Sequence, residues 1–184
     1  MPDERRSLSK FLALVLRHRP ATIGLTLSED GWVPVDELLA ALAANGRKVT
    51  VAELEELVAH SDKQRFALSS DGRSIRANQG HSVRVDLGLS PVPPPDSLYH
   101  GTVARYLPAI REQGLLKGKR HHVHLSATRE LAQLVGARRG APVVLRVVAR
   151  AMAEMQHRFY LSQNGVWLTD HVPPQFLLEP AASG

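Results

Sequence analysis

Four prolines fall within the eight residues Leu89-Ser90-Pro91-Val92-Pro93-Pro94-Pro95-Asp96. The proline ring fixes φ and removes a backbone hydrogen-bond donor, so such a stretch favours an extended, semi-rigid connection over a helix or a central strand. We therefore place a domain boundary here. The sequence predicts a first domain over residues 1–88, a linker over residues 89–97 and a second domain over residues 98–184.

The first helix of the N-terminal domain is indicated by apolar residues that recur at helical spacing between Leu8 and Leu16. Ser7 precedes this pattern and is predicted to cap the helix. Pro20 disfavours helical geometry at the residue before it, so the helix should end just short of this position.

Two more helices and a hairpin are predicted before the linker. The second helix covers Val35–Ala44, and the third opens with the capping-box sequence Thr50-Val51-Ala52-Glu53. Two short β-prone segments, Arg65–Leu68 and Ser74–Ala77, then flank a turn that contains glycine. Three helices followed by a hairpin is the order of a winged-helix module, which binds nucleic acid in some proteins and other proteins elsewhere.

The C-terminal domain has a mixed pattern of strands and helices. Leu98-Tyr99-His100 is predicted to form a strand that leads through Gly101-Thr102 into a helix ended by Gly114. Further segments complete a small α+β domain: a strand at 122–125, a helix at 128–138, a strand at 142–148, and a hairpin of 159–161 and 166–168 around Asn164-Gly165.

Composition narrows the classes of protein that the chain can belong to. Its 23 Lys and Arg against 18 Asp and Glu give a formal net charge of +5, which favours a polyanionic partner without proving one. Cysteine is absent, so disulfides, thiol nucleophiles and thiolate metal sites are excluded. No apolar segment is long enough for export or for a membrane span, and we expect a cytoplasmic protein without a membrane partner.

The run Leu16-Arg17-His18-Arg19-Pro20 is the first candidate for chemistry. Arginine binds a phosphate bidentately, and a neighbouring histidine can give or take a proton near neutral pH. Cations are also common at helix C-termini, where they stabilise the helix dipole, so this pair alone can be a solvated helix end. Arg65 lies at the entry of the hairpin's first strand, where alone it is an ordinary strand-edge cation. Gln79-Gly80-His81-Ser82 follows the second strand and fits either a tight turn or a contact with a phosphate backbone.

Two further stretches contain polar residues next to predicted strands. His100-Gly101-Thr102 lies where a strand is predicted to meet a helix, a place where main-chain amides can bind pyrophosphate. No Rossmann or P-loop glycine motif is present. The stretch Arg120–Ser126 contains His122 and His124 on one predicted strand face, but a metal site there lacks a nearby third ligand, so a polar core strand remains open as well.

Together these segments resemble the RNA 2′-phosphotransferase family of KptA type. The resemblance extends from residue 8 to Val172-Pro173-Pro174, and the order and spacing of the motifs are more specific than any one of them. The matching motifs are Leu8-Ser9-Lys10, Leu16-Arg17-His18, Asp30-Gly31-Trp32, Asp62-Lys63-Gln64-Arg65-Phe66, Ile75-Arg76-Ala77-Asn78-Gln79-Gly80-His81-Ser82, Leu98-Tyr99-His100-Gly101-Thr102 and His122-Val123-His124-Leu125-Ser126.

The resemblance implies an α+β protein with an N-terminal winged-helix RNA lobe and a C-terminal NAD⁺ lobe similar to ADP-ribosyltransferases. It implies removal of an internal 2′-phosphate from RNA, of the kind left at tRNA splice junctions. NAD⁺ would serve as co-substrate without a metal, and the reaction would pass through an RNA-2′-phospho-ADP-ribose intermediate. Nicotinamide and ADP-ribose 1″,2″-cyclic phosphate would be released.

The family's functional residues carry over to specific positions of this sequence. Arg17 and Arg65 would bind the phosphate, and His18 would deliver a proton to the leaving 2′-oxygen. Arg120 would neutralise the phosphoryl group in the second step, so that all four groups act on one phosphate. The residues expected to line the NAD⁺ pocket are His100, Gly101, Thr102, His124, Leu125 and Ser126.

Two other functions remain open at this stage. The chain could be an ADP-ribosyltransferase that stops after the transfer step, which would leave a stable ADP-ribosylated acceptor. It could also be a winged-helix regulator without enzymatic activity, which would bind duplex DNA with a steep salt dependence. We expect a monomer with 2′-phosphorylated RNA and NAD⁺ as partners.

Overall fold

The computed structural model describes residues 2–61 and 64–180, and the side chains of residues 4–61 and 64–180. Helices alternate with short strands, and every strand pair that it describes is antiparallel, so the protein is of the predicted α+β class. The chain divides into two compact units, Met1–Gly88 and Leu89–Gly184. No helix in the described ranges combines the length and apolar character that crossing a membrane requires.

The first unit combines three helices with one small sheet. Its strands are ordered β1-β3-β2, and fully buried leucines such as Leu12, Leu38 and Leu54 form its core with Ile75. The elements are α1 (Pro2–Arg17), β1 (Val33–Pro34), α2 (Val35–Ala44), α3 (Val51–Ala59), β2 (Phe66–Leu68) and β3 (Ser74–Ala77).

Helix α1 ends where the sequence predicts but begins earlier. The amides of His18 and Arg19 both donate to the carbonyl of Leu14 at 2.9 Å, so the helix ends at Arg17, short of Pro20. Ser7 is inside the helix, and its predicted role as the cap is wrong. The reason is that Pro2 suits the first turn of a helix, where its missing N–H donor costs nothing.

The third helix and the hairpin are confirmed. Glu53 N donates to Thr50 Oγ1 at 3.2 Å and Thr50 N donates to Glu53 Oε2 at 2.8 Å, which is the reciprocal capping box. Strands β2 and β3 pair with Phe66 opposite Ala77. Sequence analysis missed β1 because two residues are too short to show an alternating pattern; it pairs with β3 through Val33 and Ile75.

The second unit has three small sheets and three helices around a separate core that includes Leu98, Leu145, Met152 and Phe159. Its elements are β4 (Leu98–Val103), α4 (Leu107–Gln113), β5 (Leu115–Leu116), β6 (Val123–Leu125), α5 (Arg129–Gly136), β7 (Pro142–Val147), α6 (Ala149–Glu154), β8 (Phe159–Leu161), β9 (Trp167–Thr169), β10 (His171–Val172) and β11 (Leu177–Leu178). The strand orders are β11-β7-β4, β6-β9-β8 and β10-β5.

The proline-rich segment is attached to the second unit by hydrogen bonds. Val92 N donates to Phe159 O at 2.8 Å, and the Arg150 guanidinium forms an ion pair with Asp96 at 2.8 Å. Ser97 Oγ accepts a hydrogen bond from Arg146 Nε at 2.8 Å. The segment is thus extended, as proline favours, but it packs as part of the second unit.

Strand β4 corrects the predicted boundary between strand and helix. Gly101 and Thr102 are expected at the start of a helix, but both lie within the strand, opposite Val144 and Val143 of β7. A Cβ built on Gly101 would lie 1.8 Å from the carbonyl oxygen of Ala132, in α5. The glycine therefore permits the backbone of α5 to approach β4, and the predicted helix-start amides for pyrophosphate are not formed at this position.

We predict that Gly101→Ala strongly destabilises the second unit. Because the methyl group would meet a backbone oxygen that no side-chain rotation can move, α5 must shift away from β4, at a cost of about 1–3 kcal/mol or more. Thermal denaturation should show a melting temperature lowered by roughly 2–4 °C for each kcal/mol.

Gly118→Ala is the matched control, because a Cβ there has nothing within 4 Å and only the positive φ of 61° is unfavourable. It should cost about 1 kcal/mol through backbone strain alone. A melting temperature for Gly101→Ala equal to or above that of the control would contradict the close approach of α5.

Candidate functional site

The end of helix α1 presents the first predicted pair. Leu16 is fully buried, whereas Arg17 and His18 are half-buried and Arg19 is exposed. Because the apolar stripe fixes the rotation of the helix, the two side chains after Leu16 are displayed at its last turn. Arg17 and His18 are therefore attached to a rigid element.

Arg17 and Arg65 lie together. Arg17 Nη2 donates to the carbonyl oxygen of Arg65 at 3.2 Å, and Asn78 N donates to the same oxygen at 2.9 Å. Arg65 Nη1 donates to Ser9 Oγ, on α1, at 3.2 Å. The Arg17 side chain is thus bonded to the backbone of Arg65, 48 positions away, and the Arg65 side chain is bonded to helix α1.

His18 is held by the segment that follows strand β3. His18 Nδ1 and Ser82 Oγ are 2.9 Å apart, and Ser82 N donates to the carbonyl oxygen of Arg17 at 2.9 Å. Ser82 therefore contacts both members of the pair, once through its side chain and once through its backbone. The first unit brings together three of the four predicted catalytic residues.

Asn78 supports the position of Arg65 from the other side. Its Nδ2 donates to the carbonyl oxygen of Gln64 at 2.6 Å, and Gln64 has a positive φ of 38°. Asn78 is 7% exposed, so this hydrogen bond is protected from water and fixes the turn that leads into β2. The motif residues Asp62 and Lys63 lie outside the described residues.

Sequence reasoning on residue type alone missed Ser9 and Asn78 as parts of this cluster, and it named Ser82 as a candidate without finding its partner. The side chain of each forms a hydrogen bond to a residue elsewhere in the chain, at separations from 14 to 64 positions. The only sequence signal was that all three lie inside motifs of the resembled family. Local spacing could not assign them partners.

The second unit contains a separate polar cluster where β4 passes β6. His100 Nδ1 lies 3.1 Å from the carbonyl oxygen of His124. Because a carbonyl only accepts, Nδ1 of His100 carries the hydrogen. Burial lowers the pKa of His100, and the positive charges of Arg139 and Arg120 lower it further, while the hydrogen bond to His124 opposes both effects. His100 is therefore neutral at pH 7.

Arg120 contacts the side chain of the same histidine. Arg120 Nη1 and His124 Nδ1 are 2.8 Å apart. Partial burial of the guanidinium and the nearby charge of Arg139 lower the pKa of Arg120, which still leaves an arginine fully charged at pH 7. None of the carboxylates in residues 4–61 and 64–180 forms a salt bridge with Arg120.

The other residues predicted for the NAD⁺ pocket have structural contacts. Thr102 is 2% exposed and Leu125 is 1% exposed, with Leu125 in the apolar core. Ser126 exchanges backbone hydrogen bonds with Tyr99 at 2.8 and 2.9 Å, which ties the end of β6 to β4. The side chains that the structure brings together as a polar group are His100, His124 and Arg120.

The predicted strand at 122–125 begins one residue later, because β6 covers Val123–Leu125 and His122 lies in the bend before it, so the predicted shared strand face of His122 and His124 is not formed. The His122 ring contacts the Tyr160 ring at a centroid distance of 5.2 Å. In the part of the chain that the structure describes, no three His, Asp or Glu side chains are grouped as metal ligands would be.

Comparison with known proteins identifies the family. Residues 3–171 match the family described as RNA 2′-phosphotransferase, Tpt1 / KptA. A relative from Hahella chejuensis is 54% identical over 96% of this chain and 95% of its own length. One from Streptomyces griseus is 56% identical over 96% of this chain and 98% of its own length. Both are named "Probable RNA 2'-phosphotransferase". With matches of this extent, the chain belongs to the RNA 2′-phosphotransferase, Tpt1 / KptA family.

Proposed function

We propose that the protein is an NAD⁺-dependent RNA 2′-phosphotransferase that removes an internal 2′-phosphate from RNA. The main support is the arrangement of Arg17, His18 and Arg65 in the first unit, in a chain of this family. Two guanidiniums bind phosphate oxygens through charge-assisted hydrogen bonds, and an imidazole can exchange a proton near neutral pH. The cluster has the chemistry needed to bind a phosphomonoester and to protonate a leaving oxygen.

The first proposed step transfers ADP-ribose to the RNA. An oxygen of the RNA 2′-phosphate attacks C1″ of the nicotinamide riboside, and the bond from C1″ to the nicotinamide nitrogen breaks. The bonding electrons neutralise the pyridinium as nicotinamide leaves. Arg17 and Arg65 serve this step by holding the attacking phosphate.

The second proposed step releases the RNA. The ribose O2″ loses its proton to water and attacks the phosphorus, and the bond from phosphorus to the RNA O2′ breaks. His18 donates a proton to O2′, so the RNA leaves with a hydroxyl and ADP-ribose keeps a 1″,2″-cyclic phosphate. Negative charge builds up on the phosphoryl oxygens in this step, so fixed cations stabilise its transition state most. We assign that task to Arg120.

The element order of the first unit supports different roles for the two units, with RNA bound by the first and NAD⁺ by the second. The first unit has the element order α1, β1, α2, α3, β2, β3 with a three-stranded antiparallel sheet, which suits a winged-helix lobe for RNA. We assign NAD⁺ to the second unit, as an ADP-ribosyltransferase-like lobe.

The polar cluster of the second unit fits a dinucleotide co-substrate. The positive charge of Arg139 acts on the Arg120 guanidinium, so the two arginines together suit a pyrophosphate or a phosphoryl group. His100 is neutral and adds no repulsion toward the cationic nicotinamide ring. These residues would bind and orient NAD⁺.

A product assay tests the proposed function. Incubation with NAD⁺ and an oligonucleotide that carries one internal 2′-phosphate should release nicotinamide and ADP-ribose 1″,2″-cyclic phosphate, and the RNA should end with a 2′-hydroxyl. A stable ADP-ribosylated RNA would favour the transferase that stops after the first step. Binding of NAD⁺ at 100 times its Kd would add about 2.7 kcal/mol to the free energy of unfolding and raise the melting temperature. The proposal would be contradicted if there were no turnover and saturating NAD⁺ left the melting temperature unchanged.

His18→Ala should lower the rate of phosphate removal by roughly 10²–10⁴, the usual effect of losing a general acid. Single-turnover kinetics on the 2′-phosphorylated oligonucleotide measure it. His60→Ala is the matched control: the ring lies at the end of α3 on an exposed surface and contacts only the Glu56 carbonyl among its described hydrogen bonds. A wild-type rate for His18→Ala would remove His18 from the mechanism.

Arg120→Ala should accumulate the RNA-2′-phospho-ADP-ribose intermediate, because the assigned cation acts in the second step. Rapid quenching and gel separation of the RNA species measure the two rates. Arg111→Ala removes an equal charge from an exposed pair with Glu179, worth at most about 1 kcal/mol, and should leave both rates unchanged. Equal loss of both steps in a folded Arg120→Ala protein would contradict the assignment.

A further inference from the structure

The contact between Arg120 and His124 defines the protonation state of the histidine. A guanidinium has only N–H donors at pH 7, so His124 Nδ1 must accept the hydrogen bond at 2.8 Å from Arg120 Nη1. A protonated imidazole would direct an N–H toward another N–H and place two positive charges together. His124 is therefore neutral in this arrangement, with its hydrogen on Nε2.

Arg120 depends on this contact for its direction. It lies in the turn between β5 and β6, where its backbone N donates to Lys117 O at 3.2 Å, and the residue as a whole is exposed although its guanidinium is partly buried. An arginine side chain has about 2 kcal/mol of rotamer entropy, which an unsupported surface position does not overcome. Within the described residues, its guanidinium has one hydrogen-bond acceptor, His124 Nδ1, and forms no ion pair.

His124 is suited to hold another side chain in place because its own position is fixed. It lies in the middle of β6, opposite Leu168 of β9, and its carbonyl accepts the hydrogen bond from His100. Leu168 is 1% exposed, so the pair of strands β6 and β9 is well packed at the position of His124. The imidazole is thus mounted on a strand, whereas Arg120 is mounted on a turn.

We propose that His124 is the positioning residue for Arg120, and that it orients the guanidinium toward the phosphoryl group through a neutral Nδ1. A carboxylate could also orient an arginine, but it would cancel much of the charge that the second step needs. A neutral acceptor fixes the direction and leaves the charge in place. This inference rests on the proposed function, because Arg120 needs a phosphoryl group to act on.

The test compares His124→Ala with His124→Asn. Asparagine Oδ1 is bonded to Cγ, as Nδ1 is in histidine, so it can accept the hydrogen bond from Arg120, whereas alanine cannot. His124→Ala should slow the second step by about 10²-fold, the effect expected when a catalytic group is displaced by about 1 Å, and should accumulate the RNA-2′-phospho-ADP-ribose intermediate. His124→Asn should restore most of the second-step rate.

His122→Ala is the control, because His122 lies two positions earlier, just before β6, and its ring contacts Tyr160. It should not change the ratio of the two rates. If His124 acted only by binding NAD⁺, both His124 variants would raise the KM for NAD⁺ and slow the first step, with no intermediate accumulating. That result would overturn the positioning role.

Nitrogen NMR of the histidine rings tests the contact without any turnover. At about pH 7.5, the His124 ring of the wild-type protein should show the tautomer with hydrogen on Nε2. Arg120→Ala should change the nitrogen chemical shift of His124 Nδ1 and leave the shifts of the His60 ring unchanged. A hydrogen on Nδ1 of His124 in the wild-type protein would overturn the proposal. A wild-type protein that shows the expected tautomer but never removes a 2′-phosphate would instead overturn the proposed function, and with it the catalytic purpose of the contact.

Discussion

Arg120 is oriented by a hydrogen bond to a neutral acceptor, and the second step proposed for the protein depends on this constraint. Arg17 donates to a carbonyl, Arg65 to a serine hydroxyl and Arg120 to an imidazole nitrogen. Elsewhere the protein pairs arginine with carboxylates, as between Arg111 and Glu179 or between Arg150 and Asp96. A carboxylate partner competes with a phosphate for the same donors, whereas a neutral acceptor directs the guanidinium and preserves its charge.

In each unit, elements of regular structure carry part of the functional cluster. In the first unit, the end of α1 displays Arg17 and His18, and the segment after β3 supplies Ser82 to hold them. In the second unit, β6 holds His124, while α5 packs against β4 at Gly101 and brings its C-terminal end, with the following Arg139, into electrostatic range of His100. His124 lies on a strand, whereas Ser82 lies in the irregular segment after β3 and is fixed there by its backbone hydrogen bond to the carbonyl oxygen of Arg17.

Sequence patterns predict the parts of this structure that depend on local interactions. The capping box at Thr50, the end of α1 and the hairpins could be predicted because each is decided by neighbouring residues. The continuation of β4 through Gly101 could not, because pairing with β7 and packing against α5 decide it from 30 or more positions away. The contacts of Ser82 and Asn78 were missed for the same reason. The predicted catalytic residues were found through their resemblance to a family, and their roles stay proposals.

The first unit is proposed to bind RNA through the 2′-phosphate itself. Equilibrium binding of two oligonucleotides, identical except for a 2′-phosphate or a 2′-hydroxyl at one internal position, measures this directly in the absence of NAD⁺. Charge-assisted hydrogen bonds worth about 1.5–3 kcal/mol predict a Kd roughly 10–100 times lower for the phosphorylated strand. Arg65→Ala should remove most of that preference. Equal Kd values for the two strands with the wild-type protein would contradict binding through the 2′-phosphate.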